Sequence, residues 1–448
     1  MLLSNVDTIA AIATGQGRGG VGVIRISGSN LKTISKGILG KLLVARQASY
    51  CNFLDENGDV LDQGIALFFP APHSYTGDDV LELQGHGGIA VLQLLLQRCL
   101  DLGARLAQPG EFTRRAFLNN KLDLAQAESV ADLIDANTSE AARSAMRSLR
   151  GEFSESVHQL VDELIYLRML VEAMLDFSEE EVDTIDLKHR DALLTTIQLK
   201  LQHTLGTAKQ GSLLRDGAHI VIAGQPNVGK SSLLNRLSGE EVALVSDMPG
   251  TTRDVIRQTI QIRGMPLHIM DTAGLRESRD VVENMGIART HQSLRQADLI
   301  LLLLDASQGM TTLDNAILAG LPVDIPRLLV FNKADLVSGQ IHFFVGGSDT
   351  FVYVSAKTGA GLEELRGALL EAVGWRDQEG GAFMARERHL RAMAMAQTHL
   401  TQAHSALNRA ELFAEELRLA QQALNEITGE FTSDDLLGKI FSRFCIGK

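Results

Sequence analysis

The chain has 448 residues, more than a single core organises, so roughly two to four domains are expected. It is 45% hydrophobic and 22% charged, the profile of an ordinary globular protein, which excludes disordered and fibrous classes. Lys plus Arg is 42 against 55 for Asp plus Glu, a net charge of −13; contact with RNA therefore needs a local basic patch or a partner's charge.

Cys51, Cys99 and Cys445 are far apart and form no CxxC pair, which fits a reducing compartment and neither a disulfide framework nor a zinc site. The start MLLSNVDTIAAIATG has no basic residue before Arg18, and the longest apolar run is Leu299 to Leu304. Neither pattern suits a signal peptide or a membrane span, so a cytoplasmic location is expected.

The first 118 residues read as α+β. TIAAIAT, VGVIRIS, GIALFFP and VLELQG have strand character, and GIAVLQLLLQRCLDLG is one amphipathic helix. GQGRGG (Gly15 to Gly20) matches G-x-G-x-x-G, but a strand follows it and Asp55 comes too late; it reads as a hairpin-like loop and not as a dinucleotide site. Arg25, Glu82 and Lys121, taken singly, read as structural ion-pair members.

No proline occurs between Pro109 and Pro226, nor after Pro326. In the first gap Val157, Leu160, Val161, Leu164, Ile165, Leu167, Leu170, Val171, Met174 and Leu175 form a helical stripe. Helical spacing returns in RHLRAMAMAQTHLTQAHSAL and LFAEELRLAQQALNEITGEF. Neither block makes a large core alone, so the two are expected to pack into one discontinuous helical domain. The segment between them is then an insertion with its ends close together. The acidic DFSEEEVDTID between the first helices reads as a solvated connection. The expected division is 1–118, 119–215, 216–377 and 378–448.

The middle segment carries the chemistry. HIVIAG leads into GQPNVGKSS and the helical SLLNRLSG, which is G-x-x-x-x-G-K-S with Gly224, Gly229, Lys230 and Ser231. Such a loop turns backbone N–H groups toward phosphate at a helix N-terminus; Lys230 meets the β and γ oxygens and Ser231 ligates Mg²⁺. PLHIMDTAG ends a second strand with Asp271, placed for the Mg²⁺ shell, and Gly274, placed for the γ-phosphate. ADLILLLLDAS reads as a buried parallel strand. RLLVFNKAD ends in N-K-x-D, with Asn332, Lys333 and Asp335. A carboxylate only accepts hydrogen bonds, and guanine offers it two N–H donors where adenine offers a lone pair, so Asp335 selects GTP over ATP. FVYVSAKTG supplies Ser355, Ala356 and Lys357, a small loop whose backbone can reach guanine O6.

GTTRD (Gly250 to Asp254) is placed to sense the γ-phosphate, with Thr252 favoured over Thr251 as the Mg²⁺ ligand. Leu275 stands where small GTPases carry a water-positioning glutamine, so another group must act. Asn227 is a candidate ligand for a monovalent cation. Glu283 is a candidate for orienting water, although by itself it reads as a helix-start carboxylate. Cys445, in the terminal FSRFCIGK, reads as a buried unreactive thiol, with a reactive one as the alternative.

These segments together resemble the bacterial MnmE (TrmE) family of tRNA modification GTPases over essentially the whole chain. The resemblance is carried by DTIAAIAT, GRGGVGVIRISG, SYTGDDVLELQGHGG, PGEFTRRAFLNNKLDLAQAESVADLI, GQPNVGKSSLLN, PGTTRDV, DTAGLRES and CIGK. It implies an N-terminal α+β domain that binds folate and dimerises, a discontinuous helical domain, and a Ras-like P-loop GTPase domain inserted in it. It also implies a partner, the FAD- and NADH-using MnmG (GidA). Together they install an aminomethyl or carboxymethylaminomethyl group on the tRNA wobble uridine from a tetrahydrofolate one-carbon donor, either 5-formyl or 5,10-methylene in form.

By the same resemblance Ser231 and Thr252 hold Mg²⁺, and Asn227, Ser246, Met248 and Thr251 hold K⁺. Glu283 acts on the water, and Cys445 takes part in modification. Arg25, Glu82, Lys121 and Lys448 contact folate. The nucleotide contacts extend to Val228, Gly229, Ser232, Asp247, Pro249, Gly250, Thr272 and Ala273. The competing readings are an RNA-binding or ribosome-assembly GTPase without one-carbon chemistry, and a dimeric switch that only controls a partner enzyme. The first predicts a compact basic module, and no such stretch stands out.

Overall fold

The computed structural model describes residues 7–15, 17–176, 184–239, 258–271, 297–337, 343–346, 349–376, 381–429, 440–442, 444–445 and 447. The chain forms two compact units. One comprises Met1–Ala131, Leu149–Leu175 and Ala406–Lys448; the other comprises Asp132–Ser148 and Asp176–Ser405.

The first unit is built on a six-stranded sheet of order β3-β4-β5-β2-β1-β6. Its strands are β1 (Ile9–Ile12), β2 (Gly19–Ser27), β3 (Ser49–Leu54), β4 (Val60–Phe69), β5 (Val80–Gly87) and β6 (Arg105–Leu106). β1 and β2 pair antiparallel, Ile9 with Ser27 through Ile12 with Ile24, so the glycine-rich segment joins a hairpin, as its sequence indicates. Helices α1 (Leu31–Leu39) and α2 (Ile89–Asp101) bury Leu31, Ile34, Ile38, Leu92, Leu95 and Cys99 in one core with Ile24, Ile26, Phe53, Leu81 and Leu83 of the sheet. β1 is apolar at every position because both its faces are covered. Ala10 joins that core, while Ile9 and Ala11 pack with Ala107 and Phe112. Phe112 lies on α3 (Glu111–Leu118).

A charged cluster ties α3 to the sheet edge. Arg105 donates to Asp7 and to both oxygens of Glu111, and Arg115 donates to Asp7 and Glu111. Burial works against ionisation of Glu111, but bonds from Arg105, the Gln108 N–H and Arg115 overcome it and lower the carboxyl from 4.5 to about 2. A depressed native pKa stabilises the fold in full above the unfolded value of 4.5, and that contribution is lost as pH falls through about 2. Glu111→Gln is therefore expected to flatten the decline of the urea midpoint between those two pH values; an unaltered decline excludes the linkage.

Helices α4 (Leu124–Asp135), α5 (Ser139–Leu149), α6 (Glu152–Asp176) and α7 (Thr184–Asp216) follow. In α6 the stripe read from sequence buries Val157, Leu160, Val161, Leu164, Leu167 and Val171, while Ile165 is 37% exposed.

The second unit holds a seven-stranded sheet of order β12-β13-β11-β10-β7-β9-β8. Its strands are β7 (Ala218–Ala223), β8 (Gln258–Ile262), β9 (Met265–Asp271), β10 (Leu299–Asp305), β11 (Arg327–Asn332), β12 (Phe343–Gly346) and β13 (Asp349–Tyr353). The central pairings are parallel, and β8 and β12 pair antiparallel at the two edges. β10 is buried at all its positions, which accounts for its unbroken apolar run. Helices α8 (Lys230–Ser238), α9 (Thr312–Ala319) and α10 (Leu362–Ala372) complete a Ras-like P-loop fold.

The insertion has its ends together. Gln210 on α7 donates to the Gly374 carbonyl and accepts from the Arg376 N–H, both at 2.9 Å. Helical segments from before and after the sheet are joined by hydrogen bonds. Ser144 and Ser148 donate to the carbonyls of Ala382 and Met384, at 2.7 and 3.1 Å. Arg386 donates to Asp132 at 2.7 Å, and Gln198 of α7 donates to Leu400 O at 3.0 Å on α11 (Glu387–Ser405). In the first unit, Arg168 of α6 donates to Gln421 at 2.6 Å on α12 (Ala410–Thr428). Within each unit, a helix from before the sheet thus packs with one from after it, α6 with α12 and α7 with α11. No described helix is long and apolar enough to cross a membrane.

Candidate guanine-nucleotide site and the Arg25 cluster

The P-loop runs from the end of β7 to the start of α8. Gly224 has φ +143° and a Cβ there would lie 2.3 Å from Leu303 O; Gly229 has φ +96° and a Cβ would lie 2.3 Å from Asn332 Nδ2. Both positions require glycine for backbone angle and for space. Lys230 Nζ donates to the carbonyls of Gly224 at 2.7 Å and Gln225 at 2.9 Å, which holds the ammonium across the loop. Val228 is buried, while Ser231 and Ser232 are exposed in the first turn of α8. Asn227 is exposed, with φ +66°. Oxygen donors on a short rigid loop suit a hard cation such as Mg²⁺, and Ser231 at the N-terminus of α8 fits that demand.

The residues expected from sequence to read the base cluster at the C-terminal ends of β11 and β13. Asn332 is 2% exposed and joins two loops: its Nδ2 donates to Val228 O at 2.9 Å, and its Oδ1 accepts from the Ala356 N–H at 3.0 Å. Lys333, at φ +65°, donates to Asp305 Oδ2 at 2.7 Å. Burial opposes ionisation of Asp305, but Lys333 and the Ser307 hydroxyl and N–H hold its pKa below the ordinary value. Asp335 is exposed, and the buried Ser355 hydroxyl donates to its Oδ1 at 2.6 Å, which orients the carboxylate. Lys357, two residues after Ser355, is exposed. In the loop whose backbone was expected to reach guanine O6, the Ala356 N–H is engaged by Asn332.

Asp305, which fixes Lys333, was not singled out from the sequence. Its only signal there is a carboxylate closing an apolar strand, directly across from Asn332 in the β10–β11 register. The backbone of Asp271 closes β9. Ser246, Asp247, Met248, Pro249, Gly250, Thr251, Thr252, Thr272, Ala273, Gly274, Glu283 and Lys448 lie outside the described residues.

The first unit brings together several residues of the second expected site. Arg25 and Glu82 face each other across β2 and β5, and Arg25 Nε donates to Glu82 Oε1 at 2.9 Å. The Arg25 guanidinium lies over the Tyr75 ring at 5.2 Å and near Phe112 at 5.9 Å, a cation–π arrangement. The Tyr75 hydroxyl is 2.8 Å from Thr113 Oγ1. Tyr75 and Phe112 were missed because aromatic residues at such positions look like core. Lys121 Nζ donates to Pro72 O at 3.1 Å.

The C-terminal tail returns to this sheet. A Cβ on Gly447 would lie 2.2 Å from Ile12 O, and Ile12 follows Ala11, the β1 residue paired with Arg25. The Gly110 N–H donates to Cys445 O at 3.3 Å; Cys445 itself is exposed and not the buried thiol its aromatic neighbours suggested, because Phe444 takes the place in the core beside it. Phe441 and Phe444 anchor the tail by packing with Leu124 and Ala127.

A P-loop on a parallel sheet, joined through the buried asparagine of an N-K-x-D motif to the loop after β13, defines a guanine-nucleotide-binding P-loop GTPase. Comparison with known proteins narrows the class. Residues 8–121 match the family model described as GTP-binding protein TrmE N-terminus, and residues 124–445 match the one described as MnmE helical domain. The tRNA modification GTPase MnmE of Nitrosomonas europaea is 59% identical over 451 residues, covering 100% of both chains. The proteins of that description from Nitrosospira multiformis and Burkholderia lata are 59% and 58% identical, again over 100% of both chains. A solved Era structure from Aquifex aeolicus is similar over 40% of this chain at 27% identity, with a TM-score of 0.26 that carries no argument. The chain belongs to the MnmE (TrmE) family of tRNA modification GTPases.

Proposed function

We propose that this GTPase is K⁺-dependent and acts as a homodimer with MnmG (GidA). Together they place the 5-aminomethyl or 5-carboxymethylaminomethyl group on the wobble uridine of tRNA, using a tetrahydrofolate one-carbon donor in the cytoplasm. The division into 1–118, 119–215, 216–377 and 378–448 belongs to the same reading.

In the GTPase domain the P-loop N–H groups and Lys230 bind the phosphates, Asp335 reads the base, and Ser231 with Thr252 holds Mg²⁺. Bound K⁺ supplies the positive charge that an arginine finger supplies elsewhere. Asn227, Ser246, Met248 and Thr251 hold that cation, and Glu283 orients the attacking water.

One observation carries the one-carbon half of the reading. Arg25, Glu82 and the returning tail meet at one end of one sheet, against the Tyr75 ring. A guanidinium fixed by a carboxylate and an aromatic face suits a flat, hydrogen-bonding pterin ring. Lys121 and Lys448 add positive charge for the acidic end of a folate, and Cys445 takes part in the modification itself. A net charge of −13 accords with tRNA being held largely by a partner's charge.

Calorimetry with 5-formyl-tetrahydrofolate tests this. The intact chain is expected to bind it, and Arg25→Ala to weaken binding at least about ten-fold, the cost of a charged bond. Absence of binding removes the folate-dependent form of the proposal.

A further inference from the structure

In G-x-x-x-x-G-K-S the position after the first glycine is free, and here it is Gln225. Its side chain leaves the P-loop. Nε2 donates to Thr311 Oγ1 at 2.8 Å and to Asp314 Oδ1 at 2.9 Å. Those two residues form the capping box of α9, so the loop is tied to the start of a second helix.

The acceptor is demanding. Asp314 is 3% exposed. Its Oδ2 receives the Thr311 N–H at 3.0 Å and the Thr311 hydroxyl at 2.7 Å, which leaves Oδ1 for Gln225. A buried carboxylate oxygen deprived of its donor is costly, so the bond to Gln225 resists breaking. At its other end, the main-chain carbonyl of Gln225 is one of the two that receive Lys230 Nζ. One residue therefore joins a buried anion on α9 to the ammonium assigned to the phosphates.

We propose that Gln225 is a positioning residue for Lys230 in guanine-nucleotide binding, held in place by the Thr311–Asp314 cap of α9. Clamping the Gln225 side chain fixes the peptide whose carbonyl receives Nζ. A lysine has a long flexible stem, and ordering it before the nucleotide arrives removes an entropic cost from binding. The benefit falls equally on ground state and transition state, so it belongs in KM and nucleotide residence and not in kcat. Gln225 itself touches neither phosphate nor water in this role.

The test uses the full chain with Gln225→Ala and Gln225→Lys. Three readouts are taken: the dissociation rate of N-methylanthraniloyl-GDP, steady-state KM and kcat for GTP, and the thermal midpoint. Gln225→Ala is expected to raise the dissociation rate and KM about five-fold, the loss typical of one net hydrogen bond, with kcat within about two-fold. Gln225→Lys places an ammonium against Asp314 and is expected to return both quantities to within about two-fold of the parent.

An unchanged KM and dissociation rate in Gln225→Ala overturns the proposal. So does a lowered thermal midpoint with KM intact, which marks a structural bond alone, or a Gln225→Lys variant no better than Gln225→Ala. Should Gln225→Ala not fold, Gln225→Met, neutral and of similar length, takes its place against Gln225→Lys. Equal KM in those two then sinks the idea.

Discussion

Asp335→Asn is expected to lower affinity for GTP by about a hundred-fold or more and to raise affinity for XTP. A site built to hydrogen-bond a particular group rejects analogues strongly, because its own buried partners are left unpaired. Asp335 presents two acceptors to the N1–H and the 2-amino group of guanine. Asparagine presents one acceptor and one donor, which match the N1–H and the 2-carbonyl of xanthine. The Ser355 hydroxyl, 2.6 Å from Asp335 Oδ1, can still donate to an amide oxygen, so the side chain keeps its direction. Competition of GTP, XTP and ATP for the purified variant reads the outcome directly. Retained GTP affinity would mean that Asp335 does not read the base.

Replacing K⁺ by Na⁺ at constant ionic strength is expected to lower kcat for GTP about ten-fold or more. Leu275 stands where a water-positioning glutamine is found in small GTPases, so charge developing on the phosphates needs compensation from elsewhere. In the proposed site the amide oxygen comes from Asn227, which is exposed and held in a left-handed backbone conformation. A cage of neutral oxygens discriminates monovalent cations by size and dehydration cost. Asn227→Ala should then bring the rates in the two salts together at the lower value. Equal turnover of the parent chain in both salts refutes the cation dependence and leaves the guanine site untouched.

The nucleotide site was legible because its parts are local. A P-loop works through consecutive backbone N–H groups, and N-K-x-D places three side chains at the end of one strand, so spacing along the chain already carries the geometry. The unbroken apolar run Leu299 to Leu304 declared a strand covered on both faces, and β10 is one. Other elements were silent. α1, LKTISKGIL, and β3, SYCNFL, mix polar and apolar residues without the apolar run or motif that marks equally short β7, β11 and α8. Ile165 sat in a convincing helical stripe yet is 37% exposed, since a stripe records which residues are apolar and not how far a neighbouring helix extends over them.

By itself, the order of residues determined that the chain is a P-loop GTPase and that its fold combines an N-terminal domain, helical segments and a Ras-like domain. Only the tertiary structure placed Arg25 against Glu82, 57 positions away, and brought Gly447 of the tail back against Ile12. It alone tied Gln225 to Asp314, 89 positions distant. Such contacts arise when separately folded segments are packed by burial of apolar surface, and no local spacing encodes which polar side chains that packing will bring face to face.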